Sequence, residues 1–284
     1  MYKKVKICIR KRIFSVIGLI FLAIVVAFLF FLFKGKGNET YKAVEVNGKM
    51  IRAHVKGSGD KKIIMLSGWG TDSPIDDFFP LYDKLSENYQ VVVLEYFGYS
   101  GSDITTDERT NEAMVQEIRT ALHKLNVNPP YILMPHSMSG LYSLYYANNY
   151  PSEVSGIIGI DMSLPQEQLE RWNEETFETA KLSQESSNRN VSIINQWNKF
   201  YDNSKELKDV KYPSNLPVLA FLSTEKIETV NDMINCGIMR TSWTQMNDNM
   251  ITNADIQTKK ILEGDYYSQS DEIVKAGIEF IESL

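Results

Sequence analysis

The stretch Tyr131-Ile-Leu-Met-Pro-His-Ser-Met-Ser-Gly140 holds the residues best suited to chemistry. An apolar run that reads as a strand leads into a serine flanked by small residues, and a helical run over 141–150 follows. A serine at a strand-to-helix turn projects its hydroxyl from the sheet, while the helix N-terminus and the next backbone N–H face any oxyanion that develops there. Ser137 is therefore the candidate nucleophile of an acyl transfer, and the Met138 N–H a candidate oxyanion donor. A purely structural serine in a strand-helix loop is the competing reading. The pattern G-x-S-x-G is met at Ser137 but not at its two glycines, which are Pro135 and Ser139; Gly140 follows one place later.

The elements able to hold such a turn recur along the chain. Residues 41–46 and 49–56 alternate apolar and polar around Asn47-Gly48, which predicts an antiparallel hairpin. Apolar runs follow at 63–66, 91–94, 131–134, 157–160, 218–222 and 260–262, separated by helix-like stretches. Continuous apolar runs read as strands buried on both faces, and parallel neighbours need long, usually helical crossovers. The expectation is a mainly parallel eight-stranded sheet with helices on both faces. One crossover is longer than the others: a polar insertion over about 162–215 carries helical patterning at 166–181 and 191–207, with Trp172, Phe177, Ile193, Ile194, Trp197, Phe200 and Tyr201 at near-helical spacing. Such faces usually pack onto the body; a lid over a pocket is the sharper alternative.

In these motifs and their order the chain resembles the α/β-hydrolase family over nearly everything from Val44 to Leu284. Leu66-Ser-Gly-Trp-Gly70 resembles the strand-end H-G-x-x loop that lends an oxyanion N–H, with Ser67 in place of the usual His. The resemblance thereby implies Trp69 N–H as the partner of Met138 N–H. Glu95-Tyr-Phe-Gly-Tyr-Ser-Gly-Ser-Asp103 looks like the family's D-x-P-G-x-G-x-S loop, and Tyr150-Pro151 closes the helix after the serine as such proteins commonly do. The resemblance implies an α/β-hydrolase domain over 41–284, with the insertion as a helical lid between strands six and seven. It further implies a serine hydrolase-like activity on an ester or acyl bond of a small apolar substrate, with no cofactor.

The family order is Ser, an acid, then a His after the last strand. Glu225 is the candidate acid, reached from the 218–222 run through Ser223-Thr224, and Asp161 is the second choice; an ordinary solvated carboxylate is the alternative reading for either. Where the base belongs, the sequence reads Glu263-Gly-Asp-Tyr-Tyr-Ser-Gln-Ser-Asp-Glu272, and no histidine occurs beyond His136. Asp265 stands nearest the missing base, with Tyr266 beside it, and a carboxylate is too weak an acceptor to deprotonate serine unless its pKa is strongly raised. His136 directly precedes the nucleophile, where strand alternation points it to the other face of the sheet. His54 in the hairpin and His123 late in a helical stretch suit surface or structural roles. Losing one triad member costs on the order of 10⁶ in turnover and leaves about 10³ to 10⁴ over water. Weakened or absent hydrolysis is the expectation, and a non-catalytic ligand- or protein-binding module is the alternative.

The N-terminal region differs in kind from the rest. Residues 13–33 form an uncharged run in which only Ser15 and Gly18 are not strongly apolar, long enough at about 1.5 Å per residue to cross a hydrocarbon core. A cleaved signal peptide is the competing reading, but the run is long for one and no A-x-A pattern ends it. Six basic residues lie in the tail 1–12, and Lys34 and Lys36 open the linker 34–40. This bias predicts a single-pass anchor in the cell membrane, N-terminus cytoplasmic, with the C-terminal domain outside the cytoplasm.

Composition narrows the remaining classes. Of 284 residues 43% are hydrophobic, with 16 Gly, 9 Pro and 2 Cys, which excludes low-complexity and disulfide-stapled designs. Beyond residue 36 the chain carries 22 basic and 36 acidic residues, a net of −14, which argues against nucleic acid as a partner. Cys8 and Cys236 fall on opposite sides of the apolar run, and a packed, inert role is expected for Cys236. Residues 57–62 lack the spacing of a phosphate loop, and no Cys or His pair has metal-ligand spacing, so no metal site is expected.

Overall fold

The computed structural model describes residues 40–185 and 190–284. The apolar run 13–33 and Cys8 lie outside the described residues, and among those described no helix is long and apolar enough to cross a membrane.

The chain opens with β1 (Thr40–Val46) and β2 (Lys49–Lys56), an antiparallel pair. Asn47 and Gly48 join them at φ of 51° and 76°, the two left-handed positions that a tight hairpin turn requires. Six further strands follow: β3 (Lys62–Leu66), β4 (Gln90–Glu95), β5 (Tyr131–Pro135), β6 (Val154–Ile160), β7 (Val218–Ser223) and β8 (Gln257–Leu262). They form one sheet in the order β1-β2-β4-β3-β5-β6-β7-β8, antiparallel at β1/β2 and β2/β4 and parallel elsewhere.

Continuous apolar strands serve two cores at once. Ile64, Leu66, Val92 and Leu94 face one side of the sheet, whereas Ile63, Met65, Val91 and Val93 face the other. The first side is covered by α2 (Asn111–Lys124) and α3 (Ser139–Asn149), the second by α1 (Pro74–Leu85) and α9 (Ser270–Glu282). Asp76 and Asp77 in the first turn of α1, and Asp271 and Glu272 in that of α9, stand where the helix dipole favours carboxylates.

Three helices fill the crossover from β6 to β7: α4 (Pro165–Arg171), α5 (Glu174–Glu185) and α6 (Val191–Glu206). The helical patterning at 166–181 is broken in two, and Asn173 is the reason. Its Oδ1 accepts from the Thr176 N–H at 2.9 Å while its own N–H donates to Thr176 Oγ1 at 3.0 Å, a reciprocal cap that starts a new helix. After β7 come α7 (Thr224–Asn235) and α8 (Trp243–Met250). Cys236 is exposed rather than packed: α7 buries only Val230 and ends at Asn235, with Cys236 as its C-cap before Gly237, whose φ of 72° stops the helix.

Candidate functional site

Ser137 lies one residue beyond the bridge that His136 makes with Ile160, between the end of β5 and the start of α3, in a left-handed conformation with φ of 49°. Such a conformation costs a non-glycine residue about 1 kcal/mol or more, so the surroundings must hold it. They do so through backbone bonds: Ser137 N–H donates to Ile160 O at 3.2 Å, and the Ser137 carbonyl accepts from Gly140 N–H at 2.9 Å and Ser163 N–H at 2.7 Å. The two positions that depart from G-x-S-x-G are explained locally. Ser139 is fully buried, and its Oγ donates to the Ser67 carbonyl and lies 2.8 Å from the Tyr96 hydroxyl. Gly140 is where a side chain cannot fit, since a Cβ there would stand 2.6 Å from Ser163 O.

The loop after β3 presses against the same turn. A Cβ on Gly68 would meet Ser137 Cβ at 3.1 Å and His136 Nδ1 at 3.2 Å, so any larger residue would require the turn to give by a few tenths of an ångström. Met138 opens α3 and is buried. Trp69 is held by the inserted helices: its indole N–H donates to Ile193 O at 2.9 Å and its ring lies 4.8 Å from Trp197.

A cavity of about 410 Å³ opens at Ser137. Asp161, Glu225, Asp265 and Tyr266 line it together with His136, Ser223, Lys226, Thr229 and Tyr267, so the structure brings Ser137, both candidate acids and the Asp265-Tyr266 segment into one place. One expectation, the direction of His136, is corrected. No residue of the inserted helices lines the cavity; they settle on Trp69 and on one another through Trp172, Phe177, Trp197 and Tyr201. The Trp69 ring is turned into that aromatic cluster and does not line the cavity. His136 does not point away from the nucleophile, since the left-handed turn at Ser137 interrupts strand alternation and both residues face one cavity.

The electrostatics of the lining differ residue by residue. Asp161 directly follows β6 with φ of 42°, and its Oδ1 accepts from Ser223 N–H at 2.9 Å. Burial raises its carboxyl pKa, with the Ser223 bonds opposing. Glu225 stands exposed in the first turn of α7. Asp265 Oδ1 accepts from Ser268 N–H at 2.8 Å. Lys226 Nζ pairs with buried Glu167 and lies 4.9 Å from the Trp243 ring centroid. The His136 imidazole lies 4.5 Å from the Tyr266 ring, its Nδ1 buried without a partner; burial first and the Lys226 charge second push its pKa down to about 4. At neutral pH this ring is uncharged and a poor proton acceptor.

The other histidines lie elsewhere. His54 Nε2 is 3.2 Å from Glu95 Oε1 and its ring packs on Tyr41, and His123 is exposed in the last turn of α2. Ser139 and Lys226 were not singled out by sequence. A serine at the usual glycine position was the one signal for Ser139, and Lys226 offered none. Among the described residues no group of three His, Cys, Asp or Glu is arranged to hold a metal ion.

The comparisons agree with this geometry at the level of the fold. A family model described as alpha/beta hydrolase fold matches residues 61–249, and the chain belongs to that family. Over 136 residues it is 38% identical to the uncharacterized protein YbdG of Bacillus subtilis, a match covering 48% of this chain and 41% of that protein. The curated relatives are thus matched over only about two-fifths of their length. The Cif epoxide hydrolase from Acinetobacter nosocomialis superposes with a TM-score of 0.66 at 12% identity, covering 85% of this chain and 88% of that one. A putative lipase from Acinetobacter baumannii gives 0.60 at 17% identity, covering 86% and 91%. At such identities the likeness is one of fold.

Proposed function

We propose that this chain is a membrane-anchored, extracytoplasmic serine hydrolase-like protein whose acyl chemistry at Ser137 is weak or absent because its triad lacks the histidine. One observation carries the reading: Ser137 occupies a held left-handed turn at a cavity where Asp265 and Tyr266 stand at the base position and the one imidazole, His136, is pushed down to about 4. Trp69 and Met138 are the proposed oxyanion donors, supported by the close approach of the Gly68 loop to Ser137. Either Asp161 or Glu225 would serve as the acid; the bond from Ser223 N–H and the half-buried setting favour Asp161.

Fluorophosphonate labelling of the purified protein tests this, because it reads serine activation without knowledge of the substrate. Slow labelling and ester turnover barely above background are expected. Rapid labelling abolished by Ser137→Ala would overturn the weak-enzyme reading and require an unrecognised base. The anchor over 13–33 is tested by protease added to intact cells, which should remove the body; full protection sinks the orientation. The alternative of a ligand-binding module is favoured by the same base position, since a cavity survives there without a strong base.

A further inference from the structure

We propose that the cavity beside Ser137 receives a ligand carrying a primary ammonium group, and that any acyl compound processed there is an ester or amide of an amino-bearing molecule. The second half rests on the serine hydrolase-like reading; the first does not.

The lining decides the sign of the charge. Asp161, Glu225 and Asp265 contribute carboxylates, while the single cation, Lys226, is already committed to Glu167, which is 2% exposed. Asp77, outside the lining, is close enough to act on the Tyr267 phenol. An anionic ligand would meet three carboxylates against one cation, and a purely apolar one would strip water from these carboxylates without replacing it. An ammonium offers three donors to carboxylate oxygens. Asp161 and Asp265 each have one oxygen occupied by a backbone N–H, from Ser223 and Ser268, which fixes the carboxylates in place.

A second feature is independent of the acids. Tyr266 and Tyr267 form a stacked pair, centroids 4.0 Å apart, on the cavity wall. Tyr266 is 7% exposed and its hydroxyl interacts with that of Tyr267, whereas Nδ1 of neighbouring His136 is buried without a hydrogen-bond partner. Buried polar groups are normally satisfied, so an unpartnered ring nitrogen on a residue of the cavity wall points to an occupant with a polar atom. Aromatic faces beside carboxylates suit an organic cation. A volume of about 410 Å³ accommodates a small amine with room for an acyl group.

Calorimetric titration of the full chain in detergent with benzylamine and with neutral benzyl alcohol tests the site. The ammonium should bind about tenfold more tightly than the alcohol, and the double variant Glu225→Gln/Asp265→Asn should lose about that factor. A control double variant at exposed carboxylates away from the cavity, Asp209→Asn/Glu175→Gln, should bind as the wild type does. Equal affinity for the two probes, no binding of benzylamine, or the same loss in the control overturns the proposal. Selective ammonium binding by a protein whose Ser137 never labels removes the acyl chemistry and keeps the cation site. Labelling at Ser137 without ammonium preference does the reverse.

Discussion

Ser139 Oγ donates to the Ser67 carbonyl oxygen, so the turn that carries Ser137 is tied by a side chain to the loop proposed to supply the Trp69 N–H. The Tyr96 hydroxyl, 2.8 Å from the same Oγ, completes a fully buried set of polar groups. Ser139→Ala removes both bonds and leaves the Tyr96 hydroxyl unsatisfied. A loss of about 1–3 kcal/mol in urea unfolding is expected, since burying an unpaired polar group costs this much. A midpoint unchanged from the wild type would show that the tie contributes nothing.

His136 couples the site to pH. Its pKa in the fold is about 4 against an ordinary 6.5, so between those values the unfolded chain holds a proton that the folded chain refuses. Stability on this account is intact above pH 6.5 and falls as the pH drops towards 4, by up to about 3 kcal/mol. His136→Gln should flatten that part of the stability profile. Identical acid dependence in the two proteins, followed by denaturant midpoints at several pH values, would remove His136 from the account.

Trp69 fastens the inserted helices to the loop after β3 through its bond to Ile193 O and its packing against Trp197. Trp69→Phe keeps an aromatic ring and loses the bond, whereas Trp69→Ala loses both. The alanine variant should be destabilised by roughly 3 kcal/mol and cut faster by protease within 165–206, the phenylalanine variant by about 1 kcal/mol. Equal protease sensitivity in all three proteins would mean that α4 to α6 are held by other contacts.

Much of this fold was legible because parallel strands buried on both faces write themselves as uninterrupted runs: Ile63 to Leu66 and Val91 to Leu94 cannot satisfy both cores any other way. The Asn47-Gly48 turn was equally plain. Ser137 could be placed because a serine between an apolar run and a helix has few other destinations. Side-chain direction at a strained turn was not legible: alternation sent His136 to the wrong side, and nothing in the letters announces a φ of 49°. Nor did the near-helical spacing of Trp172, Phe177 and Trp197 tell a lid from a packed cluster, since both require the same amphipathic face. The break at Asn173 was missed because a cap depends on one residue overriding a longer periodic pattern.

The remaining prediction concerns the position between β8 and α9. Gly264, at φ of 84°, turns the chain out of β8 so that Asp265 and Tyr266 reach the cavity that holds Ser137 and Asp161. An imidazole placed here would face a nucleophile already held at a turn and a carboxylate already fixed by Ser223 N–H. Asp265→His supplies the base directly, at the loss of the carboxylate that accepts from Ser268 N–H. His at Tyr266 is the alternative if a short deletion has shifted the register, and it replaces a buried ring of similar shape. Recovery of orders of magnitude in fluorophosphonate labelling and ester hydrolysis is expected for one of the two, because the rest of the constellation supplies orientation that a lone serine cannot use. A further change of Asp161→Asn or Glu225→Gln in that background identifies the acid: the larger loss marks the carboxylate that orients the ring. Two folded histidine variants that both label no faster than wild type would show that the distance between Ser137 and this loop no longer permits proton transfer, and would leave ligand binding as the function of the cavity.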